Sequence, residues 1–130
     1  MSGSGNMILG IGTDIIEVER VAGKIGRNIG FREMVFSAEE ISYCEKQTHK
    51  FEHYAARFAA KEAFLKALGT GWINGTAFNE IEVTHNIEGQ PQIILRGETA
   101  VTLASKNISR IHVSLSHQKT MAVAFVLLEQ

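Results

Sequence analysis

The clearest pattern of apolar and polar positions lies in residues 50–69, and its spacing predicts a helix that ends at Gly69. At about 100° per residue, one side of this helix carries large apolar side chains and much of the opposite side carries alanines. The large side chains are Phe51, Tyr54, Phe58 and Leu65, and the alanines are Ala55, Ala56, Ala59, Ala60, Ala63 and Ala67. A helix that is apolar on two sides packs against neighbours on both. We therefore expect it to lie at the centre of the domain.

The residues before this helix predict one strand and two further helices. Residues 8–14 are typical of a short buried strand, in which Gly10 and Gly12 would allow another backbone to approach closely. Residues 15–29 space their isoleucines and valines in a way that favours a helix over a strand. Residues 37–47 open with S-A-E-E, a capping-box pattern that predicts the start of a helix.

Strand patterns dominate the second half of the chain. Residues 80–85 and 92–96 flank a stretch of turn residues and predict a hairpin. Residues 97–107 predict a helix, and residues 111–115 and 121–128 predict two strands that pair with each other in antiparallel fashion. The side chains that this helix should direct inward are Ala100, Val101, Leu103 and Ala104. Helices followed by strands favour the α+β class, with the central helix packed on an antiparallel sheet.

The composition is that of one compact domain. The chain has 130 residues, of which 45% are hydrophobic, and this is enough for a single core. Residues 1–6 read M-S-G-S-G-N, which is typical of the remainder of an expression tag. We therefore expect Met7 to be the natural start and residues 7–130 to form a single domain.

Charge and cysteine content narrow the class of protein. The formal net charge of -1 does not favour binding to duplex nucleic acid, which calls for a basic surface. No apolar run reaches membrane-spanning length, so we expect neither nucleic acid nor a membrane as a partner. Cys44 is the only cysteine, which excludes an internal disulfide, and we interpret it as a spectator thiol. Together these features predict a cytoplasmic protein.

The polar residues of the central helix lie between its two apolar sides. Glu62 and Lys66 fall in one gap, and Arg57 and Lys61 fall in the other. A carboxylate flanked by apolar faces is costly to bury alone, so Glu62 needs a partner. That partner is Lys66 four residues on, a metal ion, or both; a plain Glu–Lys helix pair is the common explanation.

Asp14, at the end of the first predicted strand, has two interpretations. An acid in this place is often a helix N-cap. Alternatively it acts with Glu62, because two carboxylates plus substrate phosphates are a ligand set that Mg²⁺ accepts. Basic residues beside such a site would hold phosphate oxygens, and Arg57, Lys61 and Lys66 are available. The hypothesis from the residues is therefore a phosphoryl-type transfer, driven by positioning and charge neutralisation.

Two further motifs carry histidine. His49 to His53 match the H-x-x-E-H pattern of one class of zinc protease, but two exposed histidines at the entry of a helix are the favoured explanation. Residues 114–117, S-L-S-H, end a predicted strand. They form either a strand running into a polar turn or an edge that binds a phosphate or a nucleobase. A Ser–His nucleophile is disfavoured, because adjacent strand residues point to opposite faces.

Three segments of the chain resemble the motifs of the 4'-phosphopantetheinyl transferases. Residues 12–14, G-T-D, with Arg20 are similar to the G-x-D…R opening of that family. Residues 58–66, F-A-A-K-E-A-F-L-K, resemble its F-x-x-K-E-x-x-x-K signature, and residues 114–117 resemble its C-terminal S-x-S-H segment. In length and spacing, essentially all of residues 7–130 resemble the short, single-domain bacterial type.

The resemblance implies a reaction and a metal. The family moves the 4'-phosphopantetheine arm of coenzyme A onto a serine of an apo acyl carrier protein, and it releases adenosine 3',5'-bisphosphate. Mg²⁺ bridges the pyrophosphate. Carried over by position, Asp14 and Glu62 would be the metal ligands. Glu62, or a metal-bound water beside it, would help to deprotonate the carrier serine, and Lys66 would neutralise charge on the phosphate under attack.

The resemblance also implies binding partners. Arg57, Lys61, Ser116 and His117 would contact coenzyme A, and Arg20 would face the carrier protein, which is typically acidic. The short bacterial type is typically a homotrimer with sites between subunits, and it supports fatty acid biosynthesis. An apolar C-terminal strand is suited to such an interface.

A different class of function also fits the residues taken alone. A small α+β domain could bind a nucleotide or a partner without performing chemistry. Turnover that requires a metal and is lost in Glu62→Ala would favour the enzyme. Ligand binding that survives Glu62→Ala, with no turnover by the unaltered protein, would favour the binding module.

Overall fold

The structure is a computed structural model that describes residues 7–130; residues 1–6, the predicted expression tag, lie outside the described residues. The helices are α1 (Val18–Arg27), α2 (Phe31–Val35), α3 (Ala38–Glu45), α4 (Lys50–Leu68) and α5 (Gly97–Thr102). The strands are β1 (Ile8–Glu17), β2 (Ile81–His85), β3 (Pro91–Leu95), β4 (Arg110–His117) and β5 (Met121–Glu129). Short 3₁₀ turns cover Phe78–Glu80 and Leu103–Lys106. This α+β architecture confirms the predicted fold class.

Helix α4 packs on the inner face of a three-stranded sheet, as predicted. The strand order is β1-β5-β4, and β5 runs antiparallel to both neighbours. Every second residue of β5 is buried against the helix, from Ala122 to Leu128. Strand β1 comes closest to α4 through Gly10 and Gly12, because a side chain at either position would overlap backbone atoms of the helix. The helix is therefore seated directly on the strand that carries Asp14.

The second sheet is the predicted hairpin of β2 and β3. Its strands pair in register from Ile81 with Leu95 to His85 with Pro91. The carboxamide oxygen of Asn86 accepts hydrogen bonds from the amides of Glu88 and Gln90, and these bonds hold the turn. Among the described residues, no helix has both the length and the apolar character needed to cross a bilayer.

Local signals place two helix ends correctly. Ser37 and Glu40 form the capping box that opens α3: each side chain pairs with the backbone amide of the other residue. Helix α4 ends at Gly69, whose φ of 78° is in the left-handed region that glycine adopts without strain. Both features depend only on neighbours in the sequence.

Two predictions about elements are wrong. The helix expected from residue 15 begins only at Val18, because Ile15, Ile16 and Glu17 continue β1 and pair with β5. β-Branched residues beside an available strand edge are better accommodated as strand. In the helical stretch after Gly97, Val101 and Ala104 are exposed rather than buried, whereas Leu103 is buried as expected. That stretch also tightens from α to 3₁₀ at Leu103, which changes the side-chain directions expected for a continuous α-helix.

The outer face of the three-stranded sheet is apolar and exposed. We define the outer sheet face by the exposed side chains of Ile11, Ile15, Val123 and Phe125. Ser114 and Ser116 of β4 share this side of the sheet, as alternation predicts. Exposed apolar side chains grouped on one face are typical of an interaction site.

Candidate active site

Asp14, Glu62 and Lys66 meet where β1 crosses α4. Asp14 lies within β1, opposite Ala124 of β5, so it is not a helix N-cap. The ammonium group of Lys66 donates to Oδ1 of Asp14 and to the carbonyl oxygen of Thr13, each at 3.0 Å. Lys66 is therefore bound to the strand rather than hydrogen-bonded to Glu62 along the helix, which corrects the simple Glu–Lys helix pair.

The environment of Glu62 is unfavourable to its charge. Partial burial raises the pKa of Glu62, and the negative charge of Asp14 raises it further. Lys66 on α4 and Lys24 on α1 act in the opposite direction. Two carboxylates and two ammonium groups thus share one partly exposed corner of the protein. A divalent cation placed there would relieve the repulsion between Asp14 and Glu62.

The donor set of this corner fits Mg²⁺ and does not fit zinc. Within residues 7–130, no group of three histidine, cysteine, aspartate or glutamate side chains is placed to hold a metal. Mg²⁺ commonly takes one or two carboxylates and fills its other positions with waters and substrate phosphates, whereas a structural or catalytic zinc needs at least three protein ligands. The H-x-x-E-H segment belongs to no such group among the described residues; its His49 is exposed and its Glu52 pairs with His117.

A second polar cluster surrounds Arg57 on another side of α4. It lines a cavity of about 250 Å³ with Tyr43, His53, His85 and His117. The guanidinium group of Arg57 lies over the Tyr43 ring, 4.2 Å from its centroid, and Nη2 approaches Nδ1 of His85 at 3.4 Å. Arg57 is only 2% exposed, and its Nε has no hydrogen-bond partner among the described residues. A buried, unused cationic donor beside a cavity is suited to an anion.

Two histidines of this cavity, His53 and His85, lie where the charged imidazole is disfavoured. Burial lowers the pKa of His53 and of His85, and the positive charge of Arg57 adds to the effect. His117 pairs through Nδ1 with Oε1 of Glu52 at 2.9 Å, and its ring lies 4.8 Å from that of His53. An entering phosphate would reverse the effect of burial and favour protonated imidazoles.

A larger groove adjoins this cavity. It has a volume of about 430 Å³, and residues of β3, β4 and the hairpin turn line it. Pro91 and Leu115 belong to the lining of both spaces. Together the two spaces offer room for a nucleotide-sized ligand next to Arg57.

We call the corner formed by Asp14, Glu62 and Lys66 the metal corner, after the ion that its donor set fits. The metal corner and the Arg57 cavity lie on different sides of α4. Glu62 follows Arg57 by five positions, which corresponds to about 140° around a helix. The neighbours of Glu62 are Asp14, Lys66 and Lys24, and none of them lines the Arg57 cavity.

Comparison with known proteins identifies the family. The model of the 4'-phosphopantetheinyl transferase superfamily matches residues 10–126. The chain belongs to this superfamily. It is 46% identical over 123 residues to a holo-[acyl-carrier-protein] synthase of Cytophaga hutchinsonii, covering 93% of this chain and 97% of that protein.

Solved structures of the same kind share the fold. The holo-[acyl-carrier-protein] synthase from Neisseria meningitidis superposes with a TM-score of 0.86 at 33% identity, covering 95% of this chain and all of that one. The Bacillus anthracis protein, solved in complex with CoA (3',5'-ADP), gives a TM-score of 0.77 at 36% identity, covering 95% and 98% of the two chains.

The three motifs of this phosphopantetheinyl transferase come together only in part. Residues 12–14 of β1 and residues 58–66 of α4 meet at the metal corner, and His117 joins Arg57 at the cavity. Ser116 points away from that cavity, because it shares the outer sheet face with Ser114. Arg20 is exposed on α1. Tyr43 and His85 were not predicted as site residues, because nothing in the sequence shows that they approach Arg57 in the folded protein.

The side chain of Lys61 does not reach the surface of the protein. We predicted that it contacts coenzyme A, but its side chain is fully buried and its ammonium group already has three acceptors. A direct contact between this ammonium group and a ligand does not fit the structure. Lys61 and Arg57 share one polar gap of α4. Beside Lys61, this gap is covered by β2 and by the 3₁₀ turn that precedes β2.

Cys44 also lies deeper than its polar neighbours in the sequence suggest. Its side chain is fully buried in the core. Burial raises the pKa of the Cys44 thiol to about 12. The thiol therefore remains protonated and takes no part in either polar cluster.

Proposed function

We propose that this protein transfers the 4'-phosphopantetheine group of coenzyme A to a serine of an apo acyl carrier protein, and that it releases adenosine 3',5'-bisphosphate. The observation that supports it best is the corner formed by Asp14, Glu62 and Lys66, in a chain that matches the superfamily over residues 10–126. Relatives named holo-[acyl-carrier-protein] synthase and a structural neighbour solved with coenzyme A support the same substrates.

The chemistry assigned to this corner is an in-line phosphoryl transfer. The serine oxygen attacks the phosphorus that bears the pantetheine arm, and the bond from that phosphorus to the bridging oxygen breaks. Glu62 would help to deprotonate the attacking serine, as a general base within reach of the reacting phosphate. Asp14 and Glu62 would hold Mg²⁺, which supplies charge stabilisation at the pyrophosphate. Lys66 and Lys24 neutralise negative charge beside the reacting phosphate.

The Arg57 cavity is assigned to the nucleotide end of coenzyme A. A phosphate placed there would meet the unused Nε of Arg57 and the His117 imidazole. The adjoining groove between β3 and β4 would accommodate further parts of the nucleotide. Ser116 on the outer sheet face would reach a ligand only if that ligand is held between two copies of the chain.

Arg20 is proposed to bind the acidic carrier protein. It is exposed on α1, whose last turn also carries Lys24 and Arg27. We expect Arg20→Glu to raise the KM for the carrier about tenfold, equivalent to about 1.4 kcal/mol, without changing the KM for coenzyme A. Steady-state kinetics at several salt concentrations measure both constants. Lys46→Glu, an equal charge reversal on an exposed residue beyond α3, is the control and should leave both constants unchanged. An equal rise in the KM for both substrates would show that Arg20 is not a specific contact for the carrier protein.

A homotrimer with shared sites is the assembly that we propose. Two observations support it: the outer sheet face exposes apolar side chains, and the metal corner and Arg57 cavity lie on different sides of α4. We expect Phe125→Glu to convert the trimer into smaller species, because it introduces a charge into the centre of this face. Light scattering after gel filtration measures the mass. A Phe125→Glu protein that stays trimeric would place the interface elsewhere.

Shared sites predict complementation between two inactive variants. Glu62→Gln removes the metal corner and Arg57→Ala removes the cavity. After co-refolding of equal amounts, about one site in four would combine an intact corner with an intact cavity from its neighbour. Transfer activity is then expected to return, whereas each variant refolded alone stays inactive. No recovery would mean that one chain supplies both parts of its own site.

Intact mass spectrometry of an apo acyl carrier protein tests the function directly. The carrier is incubated with this protein, coenzyme A and Mg²⁺, and the expected result is a gain of one phosphopantetheine. A chelator and the Glu62→Ala variant are the controls, and both should abolish the gain. No gain with several different carriers would leave the non-catalytic binding module as the function.

The remaining parts of the proposal concern domain limits and cell biology. We treat residues 7–130 as one transferase domain that needs neither nucleic acid nor a membrane. The resemblance to the short bacterial type supports a role in fatty acid biosynthesis in the cytoplasm.

A further inference from the structure

Glu40 and Lys61 form a buried ion pair in which all three donors of the lysine and both oxygens of the carboxylate are hydrogen-bonded. The two side chains have no exposed surface, and Nζ of Lys61 lies 2.8 Å from Oε1 of Glu40. Lys61 also donates to the carbonyl oxygens of Phe78 and Ile81, at 2.8 and 2.6 Å. Glu40 accepts two backbone N–H groups, from Ser37 at 2.8 Å and from Val83 at 2.9 Å.

These bonds tie α4 to three other parts of the fold. Glu40 belongs to α3, Phe78 to the 3₁₀ turn, and Ile81 and Val83 to β2. Lys61 belongs to the middle of α4 and directly precedes Glu62. Every contact of the Lys61 ammonium group therefore constrains how far α4 can slide or rotate, and Glu62 moves with it.

The face of α4 that packs on β1 offers few steric stops to sliding along that strand. The surface that faces β1 consists of alanines, and β1 itself presents glycines to it. Small side chains pack closely, but they do not interlock as larger ones do. Glu62, by contrast, requires accurate placement, since a misplacement of about 1 Å at a reacting group can cost about 10²-fold in rate.

Stability alone does not account for this pair. Replacing a buried ion pair with apolar residues of similar size is often neutral or stabilising, because the charges lose their hydration. Geometric specificity is what a fully satisfied buried pair supplies and an apolar pair does not.

We propose that Glu40 is a positioning residue for the transfer reaction, and that it acts through Lys61 to hold the Glu62 carboxylate in place for the metal. This inference rests on the proposed function. Side chains that orient metal ligands typically contribute about 10- to 100-fold to metal affinity or activity.

The double variant Glu40→Leu/Lys61→Met tests the proposal, because it removes both charges together and leaves neither one unpaired. We expect a folded protein with a lower thermal unfolding midpoint, because the backbone amides of Ser37 and Val83 lose their acceptor. The half-saturating Mg²⁺ concentration should rise about tenfold and kcat should fall by about 10- to 100-fold, with the KM for coenzyme A little changed. Calorimetry of coenzyme A binding with and without Mg²⁺, in the absence of carrier, should show the same loss in the part of the affinity that depends on the metal.

Thr99→Val is the matched control. Thr99 is fully buried and its hydroxyl bonds to Glu80 at 2.7 Å, so the variant loses a buried interaction that does not involve α4. It should lower the unfolding midpoint and leave the Mg²⁺ dependence unchanged. If the double variant does not fold, Glu40→Asp replaces it, because it keeps the charge and shortens the reach to Lys61.

The outcomes separate the inference from the proposed function. A folded variant with the Mg²⁺ dependence and kcat of the unaltered protein would overturn the positioning role and leave the transferase intact. No phosphopantetheine transfer by the unaltered protein would overturn the proposed function instead.

Discussion

Gly12→Ala is expected to lower the free energy of unfolding by about 3 kcal/mol or more, and to leave little folded protein. A Cβ at this position would overlap the carbonyl oxygen of Ala63 and lie 2.7 Å from the amide nitrogen of Ala67. Both atoms belong to the backbone of α4, so neither can rotate away. The overlap is removed only if α4 moves away from β1, and this movement also separates Glu62 from Asp14. Urea denaturation followed by circular dichroism measures the change.

Gly26→Ala is the control for this prediction. Gly26 lies in α1, and a Cβ there would meet no heavy atom within 4 Å. The added methyl group should be neutral or should stabilise the helix by up to about 1 kcal/mol, because alanine is the better helix former. A Gly12→Ala protein as stable as Gly26→Ala would show that β1 and α4 are not in direct backbone contact.

Glu62→Gln is expected to reduce kcat by about 10²- to 10³-fold, or about 2.7–4 kcal/mol, a loss typical of removing one group that stabilises a transition state. Glutamine keeps the size of the side chain and removes its charge and its basicity. The folded protein should not be less stable, because the variant removes a charge that burial and Asp14 disfavour. Initial rates at saturating coenzyme A and Mg²⁺, with an unfolding midpoint for the same sample, measure both effects.

The exposed Glu88 in the hairpin turn provides the matched control. Glu88→Gln makes the same chemical change away from both polar clusters, and its kcat should equal that of the unaltered protein. A Glu62→Gln protein that retains most of its kcat would contradict the role assigned to the metal corner. A large drop in its unfolding midpoint would instead show that Glu62 stabilises the fold.

Features that depend on neighbouring residues could be predicted from the sequence. The capping box of Ser37 and Glu40 and the end of α4 at Gly69 are set within a few residues, and both occur as expected. The length of β1 could not be predicted in this way. Ile15 and Ile16 suit a helix or a strand, and the pairing with β5, near the other end of the chain, decides between them.

The candidate site shows the same division. The helical period correctly places Glu62 and Arg57 in different gaps of α4, and the motif residues Asp14 and Lys66 meet beside the first. Arg57 and Lys61 share the other gap, but helical periodicity cannot show that this gap is covered at Lys61 and open at Arg57. The covering depends on where β2 and α3 pack in the folded protein. Glu40 illustrates a further limit. Its local role as a helix cap is readable, but its bond to Lys61 twenty-one positions away is not.

Cys44 gives the protein an internal reporter of its own opening. Alkylating and oxidising reagents attack the thiolate, and this thiol is both enclosed by the core and, with a pKa of about 12, protonated at neutral pH. Peroxide should therefore leave Cys44 of the folded enzyme unmodified. A labelled Cys44 would record that a molecule had unfolded, and the labelling rate in purified protein would give the frequency of such excursions without any engineered probe.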